Sequence, residues 1–448
     1  MTSDLVIASG ELMVDGCLRH ADLEVTDGRI TRIVESGTGR GEVVVDASDR
    51  WVLPGMVDIH VHLRDPGAPH KETFATGTAA AAHGGVTTIS DMPNTQPPLL
   101  RLADLDAKVE AAGRVAHVDH LFWCGATHPE EFAAFAHRGA MGVKVFLAGR
   151  EQGHQYNSEL SITDDGHLLD ILAEAERQGL PVAVHLANPE IEQLWRRNWV
   201  GRGIAEVKQE IIEESRLDKV ESASRVLLLA EHTGAHVHLV HVSAAVLPLV
   251  EQARARGVRV TAESFAPFTS TDDFDRYGVM AYDRYRRPAE VSALWRAMEN
   301  GTVDNIASDH APHTWEEKVV GERDVLAGTS GYPELDTIYP MLMDRVLRGS
   351  LALGRMVHLA AEAPARIAGI EDRKGSLAVG RDADIVLVDP AGTWTVNAEE
   401  CASRAGWTPF EGRELRGRIE RVLLRGSTPE EGRGRFIARP MERGSSRE

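Results

Sequence analysis

The sequence predicts an α/β protein: a (β/α)8 TIM-like barrel carrying a small β-sandwich domain built from both termini. Three observations lead there. Between about Gly55 and Gly369, eight apolar strand-like runs alternate with helical ones, the signature of parallel strands joined by crossover helices. The two ends of the chain, 1–54 and 370–448, share a different texture of short strands and tight turns, which suggests one composite β domain enclosing a barrel over 55–369. Side chains capable of chemistry recur at one end of the barrel strands, the end where such barrels build their active sites.

Taken in order, the N-terminal runs D-L-V-I-A-S-G, A-D-L-E-V-T-D-G-R-I-T-R-I-V and G-E-V-V-V-D-A are hairpin-style strands punctuated by D-G turns. The barrel strands are expected at Met56–Leu63, Val86–Asp91, Val118–Cys124, Gly142–Leu147, Pro181–Leu186, His236–Val242, Val258–Glu263 and Val303–Asp309. Helical segments such as F-A-T-G-T-A-A-A-A-H-G-G and L-L-D-I-L-A-E-A-E-R-Q-G separate them, with glycine near each helix end as a stop signal. A doubly wound open sheet is the rival fold, weakened because no G-x-G-x-x-G turn follows the first strand. The β texture returns in G-S-L-A-V-G-R-D-A-D-I-V-L-V-D-P and G-R-I-E-R-V-L-L-R-G, and E-R-G-S-S-R-E is expected to be a disordered tail.

Bulk properties narrow the function. A net charge of −19 over 448 residues argues against nucleic-acid or anionic-membrane partners, which demand clustered Lys and Arg. Three widely spaced cysteines, Cys17, Cys124 and Cys401, form neither a disulfide framework nor a zinc ribbon. No secretory n-region and no membrane-length apolar run is evident, so a cytoplasmic location is expected.

The segment V-D-I-H-V-H-L-R holds the strongest chemical signal. Side chains at i and i+2 of a strand share a face, so His60 and His62 point together while Val61 and Leu63 point into the packing. Two adjacent imidazoles suit a divalent cation, although H-x-H alone equally describes two surface histidines. Asn94 follows the second strand, and Lys144 lies on the fourth. His185, His241, Glu263 and Asp309 end the fifth to eighth. Singly, a histidine here is a core residue and Asp309 a helix cap; together at one end of one barrel they form a site. Lys144, inside the apolar run G-V-K-V-F-L, must be paired with Asp309 or Glu263, or chemically changed, to be tolerated there.

These residues carry a family resemblance. V-D-I-H-V-H-L-R-D-P-G, A-A-A-A-H-G-G-V-T-T-I-S-D-M-P-N-T-Q-P-P, V-K-V-F-L, V-H-L-V-H-V-S and I-A-S-D-H-A-P-H-T-W-E-E-K resemble the cyclic-amide branch of the amidohydrolase superfamily. Within it the chain is most similar to dihydroorotase, with hydantoinase and allantoinase as near relatives. The resemblance implies two divalent metal ions, zinc by expectation. His60, His62 and Asp309 would hold one, His185 and His241 the other, and a carbamate formed on Lys144 from CO2 would bridge them. It implies attack by a metal-bridging hydroxide, with Asp309 as the catalytic proton carrier. Arg64, Asn94 and His313 match the positions that grip the carboxylate of dihydroorotate, and Arg287 in Y-R-R-P is a further candidate contact.

The expected reaction is therefore interconversion of dihydroorotate and N-carbamoyl-aspartate, on a small-molecule substrate, by a homo-oligomer (dimer or tetramer). Three departures bear on substrate choice: S-F-A-P-F-T-S after Glu263 lacks the usual P-H-H, H-L-A-N replaces H-A-E and is followed by a Trp- and Arg-bearing insertion, and G-T-S-G-Y-P-E-L-D-T replaces P-G-L-E-T. A hydantoinase- or allantoinase-like enzyme, or a specialised cyclic imide or ureide hydrolase, is the alternative. A non-catalytic scaffold is a lesser one, since such relatives lose ligands that this chain keeps.

Overall fold

In the computed structural model each of the eight apolar runs becomes a parallel strand, because a segment buried on both faces leaves its backbone polar groups only neighbouring strands to bond. The structure describes residues 3–148, 158–269, 273–281, 284, 286–430 and 432–441, without the side chains of 158, 212–215, 277 and 281. The expected tail 442–448 lies outside them.

The barrel strands are β6 (Met56–Val61), β7 (Val86–Asp91), β8 (Asp119–Gly125), β9 (Gly142–Phe146), β10 (Val182–His185), β11 (Val237–Leu239), β12 (Val260–Ser264) and β13 (Asn305–Ile306). They pair in sequence order. A bridge between Val61 and His310, with His62 N–H donating to the His310 carbonyl at 2.8 Å, brings the last strand back toward the first. This is the (β/α)8 barrel the alternation predicts.

Helices cover its outside. Phe74–His83 begins on Thr73, whose hydroxyl accepts from Thr76 N–H. Asp165–Gln178 and Ile204–Thr233 end on Gly179 and Gly234 at φ of 67° and 76°, left-handed positions that favour glycine. The insertion after β10 folds as helix Pro189–Trp199, capped by Asn188, together with the first turns of Ile204–Thr233. Its Trp199, Ile204 and Val207 pack against Val279 and Val325 from the loops after β12 and β13. No helix among the described residues is long and apolar enough to cross a membrane.

A second, mostly antiparallel sheet gathers strands from both ends of the chain. It contains β1 (Ser3–Val14), β2 (Cys17–Thr26), β3 (Arg29–Glu35), β4 (Gly41–Asp46), β5 (Trp51–Pro54), β14 (Ile385–Thr395) and β15 (Glu414–Leu423), in the order β15-β14-β5-β1-β2-β3 with β4 paired to β1. The two D-G turns join β1 to β2 and β2 to β3. Asp15, Gly16, Asp27 and Gly28 all take positive φ, as two-residue hairpin turns of matching twist require. Leu5, Ile7, Leu23, Val52, Ile385 and Leu387 supply this sheet's own core. Fully buried Lys374 ties it to the barrel, donating to Asp384 Oδ2 at 2.6 Å and to Asp119 Oδ2 at 2.5 Å. The three cysteines are free thiols.

Candidate active site

Most of the side chains singled out from the sequence gather at the C-terminal ends of β6 to β13, some within the strands and some just past them. The strand pleat puts His60 and His62 on one face, ring centroids 5.4 Å apart, while Val61 and Leu63 are buried in the surrounding core. Both Nε2 atoms face one oxygen of Asp309: Oδ1 lies 3.4 Å from His60 and 3.2 Å from His62. These three residues offer ligand atoms within 4.8 Å of one another, a spacing that suits a single metal ion. His241 and His185 stand beside them. The His241 ring is 5.6 Å from that of His60, and its Nε2 is 3.0 Å from His185 Nδ1.

Several of these residues lie past the strands rather than in them. β13 ends at Ile306 and β11 at Leu239, so Asp309 and His241 belong to the following turns. Their φ values of 49° and 39° are left-handed, as is the 60° of Arg64. The chain bends there instead of continuing the pleat, and that bend aims each side chain across the barrel mouth.

Burial pushes the His62 imidazole down to about 4 and holds His185 and His241 well below the usual histidine range, so at neutral pH all three are neutral, the form that binds metals. For Asp309 burial opposes ionisation, but the neighbouring His60 and the Arg284 guanidinium outweigh it and hold the carboxyl well below its ordinary value.

Lys144 projects from the middle of β9, every residue of which is buried. Its Nζ has no hydrogen-bond partner among the described residues. The ion pair with Asp309 or Glu263 that the sequence allowed is not a direct contact; those carboxylates act on it only at a distance, and burial lowers its pKa to about 8. A buried amine that is orphaned and easily neutralised fits conversion to a carbamate, which requires a free amine and then supplies two ligand oxygens.

Other residues hold these in place. Glu263 accepts from His60 Nδ1 at 2.6 Å and from His238 Nε2 at 3.2 Å, turning the His60 Nε2 lone pair toward the mouth. Asn94 Oδ1 lies 2.7 Å from His62 Nδ1 and does the same for that ring. Fully buried Arg284 donates to the Ser308 carbonyl at 2.8 Å, to the Asp309 carbonyl at 2.5 Å and to Glu334 Oε2 at 2.8 Å. Burial raises Glu334 to about 8 against the pull of that guanidinium.

The spacing of the sequence did not reveal the orienting roles of Glu263 and His238, or those of Arg284 and Glu334. Arg284 is one of three arginines in R-Y-R-R-P, and nothing local separates it from Arg287. Arg287 lies at the N-terminus of helix Pro288–Asn300, its backbone N–H donating to Glu290 at 3.1 Å.

Arg64, Asn94 and His313 form the adjoining wall. Arg64 donates from Nε to the Pro312 carbonyl at 3.3 Å, and one terminal nitrogen lies 3.1 Å from His313 Nε2. Trp407, from the stretch between β14 and β15, donates to the His313 carbonyl at 2.9 Å and meets Trp315 edge to face. Asn188 caps the inserted helix and donates to Glu221 at 2.7 Å, while Glu334 of the P-E-L stretch is the partner of Arg284.

The profile of the amidohydrolase family matches residues 51–428. The chain belongs to this family. It is 34% identical to an allantoinase from Rubrobacter xylanophilus, over 98% of the chain and 97% of that protein. It is 33% identical to a dihydroorotase from Halobacterium salinarum, over 87% of the chain and 91% of that protein. Among solved structures it superposes on the L-hydantoinase (dihydropyrimidinase) from Arthrobacter aurescens with a TM-score of 0.90 and 29% identity, covering 98% of the chain and all of that structure. The protein is a cyclic amidohydrolase of the hydantoinase, allantoinase and dihydroorotase type.

Proposed function

We propose that this protein hydrolyses the ring amide of a small cyclic substrate that carries a carboxylate, with dihydroorotate as the leading candidate and N-carbamoyl-aspartate as its ring-opened partner. The observation that carries the reading is Arg64, two residues beyond His62, with its guanidinium bonded to the Pro312 carbonyl and beside His313 Nε2. A planar guanidinium grips a carboxylate through two parallel hydrogen bonds, and a ring without that group forgoes them.

In this reading His60, His62 and Asp309 would hold one divalent metal and His185 and His241 a second, with a carbamate on Lys144 as a further ligand. The nitrogen and oxygen donors make zinc the expected ion. Metal bound there supplies Lewis acidity and water of lowered pKa. Asp309 is a carboxylate at neutral pH, so its oxygen takes a proton as the ring carbonyl is attacked and returns it to the departing ring nitrogen. Glu263 and Asn94 fix the rings of His60 and His62 throughout. Arg64 and Asn94 orient the substrate from the adjoining wall, with His313 behind Arg64 and Arg287 as a further contact at the rim.

The similarity to an allantoinase and to an L-hydantoinase supports a second reading, in which the ring is an uncharged hydantoin or allantoin. A panel on zinc-loaded protein separates the two: dihydroorotate, dihydrouracil, hydantoins, allantoin and succinimide. Turnover of dihydroorotate above the uncharged rings is the expected result. Activity restricted to uncharged rings overturns the carboxylate assignment.

A further inference from the structure

Behind Arg64 lies a polar cluster that substrate would not touch. His313, 2% exposed, has donors on both sides. A terminal nitrogen of Arg64 lies 3.1 Å from its Nε2, and Lys71 Nζ lies 3.2 Å from its Nδ1. Guanidinium and ammonium groups donate only, while a neutral imidazole has one acceptor nitrogen and one N–H. Arg64 and Lys71 therefore cannot both donate to this ring.

Glu317 decides between them. Its Oε2 lies 3.3 Å from His313 Nδ1, and its Oε1 lies 3.0 Å from Lys71 Nζ. One oxygen takes the lysine and the other takes the Nδ1 proton. The Nε2 lone pair is then left for Arg64. The Thr314 backbone N–H also donates to Oε2, and Trp407 pins the His313 carbonyl, so carboxylate and ring are both held. Burial and the neighbouring Arg64 charge keep this imidazole neutral, as a fixed tautomer requires.

We infer that Glu317 is a positioning residue that selects the Nδ1–H tautomer of His313, making His313 the acceptor that aims Arg64 rather than a donor to the substrate. This rests on the proposed recognition of a carboxylate-bearing ring. Glu317→Gln is the informative change. Lys71 and Nδ1–H face different oxygens of the carboxylate, and the amide keeps an acceptor at only one of these two positions. The cationic lysine takes it, the amide N–H faces Nδ1, and the ring proton moves to Nε2 against Arg64.

Zinc-loaded, full-length protein carrying 15N-histidine reports the tautomer directly by long-range 1H–15N correlation, with the His313 signals identified by their loss in His313→Gln. The expected spectrum has a protonated Nδ1 and a bare Nε2. The pattern inverts in Glu317→Gln, persists in Glu317→Asp, and persists in Lys71→Met, which removes only the competing donor. In parallel, the ratio of kcat/KM for dihydroorotate to that for dihydrouracil falls about tenfold in Glu317→Gln, carried by KM, and recovers in Glu317→Asp. A protonated Nε2 in the wild type, or an unchanged tautomer in Glu317→Gln, overturns the inference. So does a kinetic ratio within twofold of wild type. If the wild type turns over no carboxylated ring, the substrate reading fails, and the nitrogen spectrum still decides the role of Glu317.

Discussion

Replacing Glu263 by glutamine tests whether the site is built from its outer residues inward. The carboxylate is 1% exposed and accepts from His60 at 2.6 Å, His238 at 3.2 Å and Asn305 Nδ2 at 3.5 Å. Glutamine keeps the shape, removes the charge and turns one of the two acceptors into a donor. A hydrogen bond to a charged group contributes about 1.5–3 kcal/mol and a neutral one about 0.5–1.5, so the His60 contact alone weakens by roughly 1–1.5 kcal/mol. That corresponds to about a tenfold loss of metal affinity, the lower end of the 10–100-fold effect usual for groups that orient a metal-binding imidazole. The lost negative charge next to a dication adds to it. The amide N–H turned toward His238 and Asn305 acts on the stability of the metal-free fold as well. The assay is zinc competition against a chromophoric chelator, with circular dichroism to verify the fold. A folded Glu263→Gln whose zinc affinity stays within twofold of wild type would refute the reasoning.

Arg64→Met should raise KM for dihydroorotate by about 10–100-fold while zinc content, read by elemental analysis, stays at the wild-type level, because a charge-assisted pair is lost outside the histidine cluster. Lys144→Met should abolish activity and lower the bound metal, yet leave the metal-free protein at least as stable in calorimetry, since the buried Nζ has no hydrogen bond among the described residues to lose. The same amine sets a pH dependence. Its pKa is lowered to about 8 from 10.5, so above pH 8 the unfolded chain binds the proton that the fold has released. Metal-free wild type should therefore gain stability between about pH 8 and 10.5, by on the order of 3 kcal/mol, and Lys144→Met should lack that rise in urea titrations across this window. Arg284→Met should destabilise the fold by about 3–5 kcal/mol, seen as a lower urea midpoint, because Glu334 and two backbone carbonyls lose a buried charged donor.

Local periodicity made much of this molecule legible. Alternation of apolar runs with glycine-stopped helices marked all eight barrel strands to within a few residues, because burial on both faces forces an unbroken apolar run. The pleat likewise put His60 and His62 on one face, and the apolar neighbours of Lys144 marked it as buried. The same alternation extends too far at the strand ends: it makes Asp309 and His241 strand-terminal, whereas positive φ turns carry them past the ladder. His238 and Arg284 stayed hidden because their partners, Glu263 and Glu334, lie 25 and 50 residues away.

By itself, then, the sequence determined what near neighbours decide: the order of elements, the D-G hairpins, the paired histidines and the family. Tertiary structure alone decided which side chains meet, and how. It brought His62 within 3.2 Å of Asp309, left Lys144 Nζ without a hydrogen-bond partner among the described residues, and set Glu317 between Lys71 and His313 behind Arg64. The physical reason is common to all three. A strand's period fixes the direction of each side chain, but a barrel closes strands hundreds of residues apart around one mouth. Hydrogen-bond partners there are chosen by distance across that mouth, and no spacing along the chain encodes it.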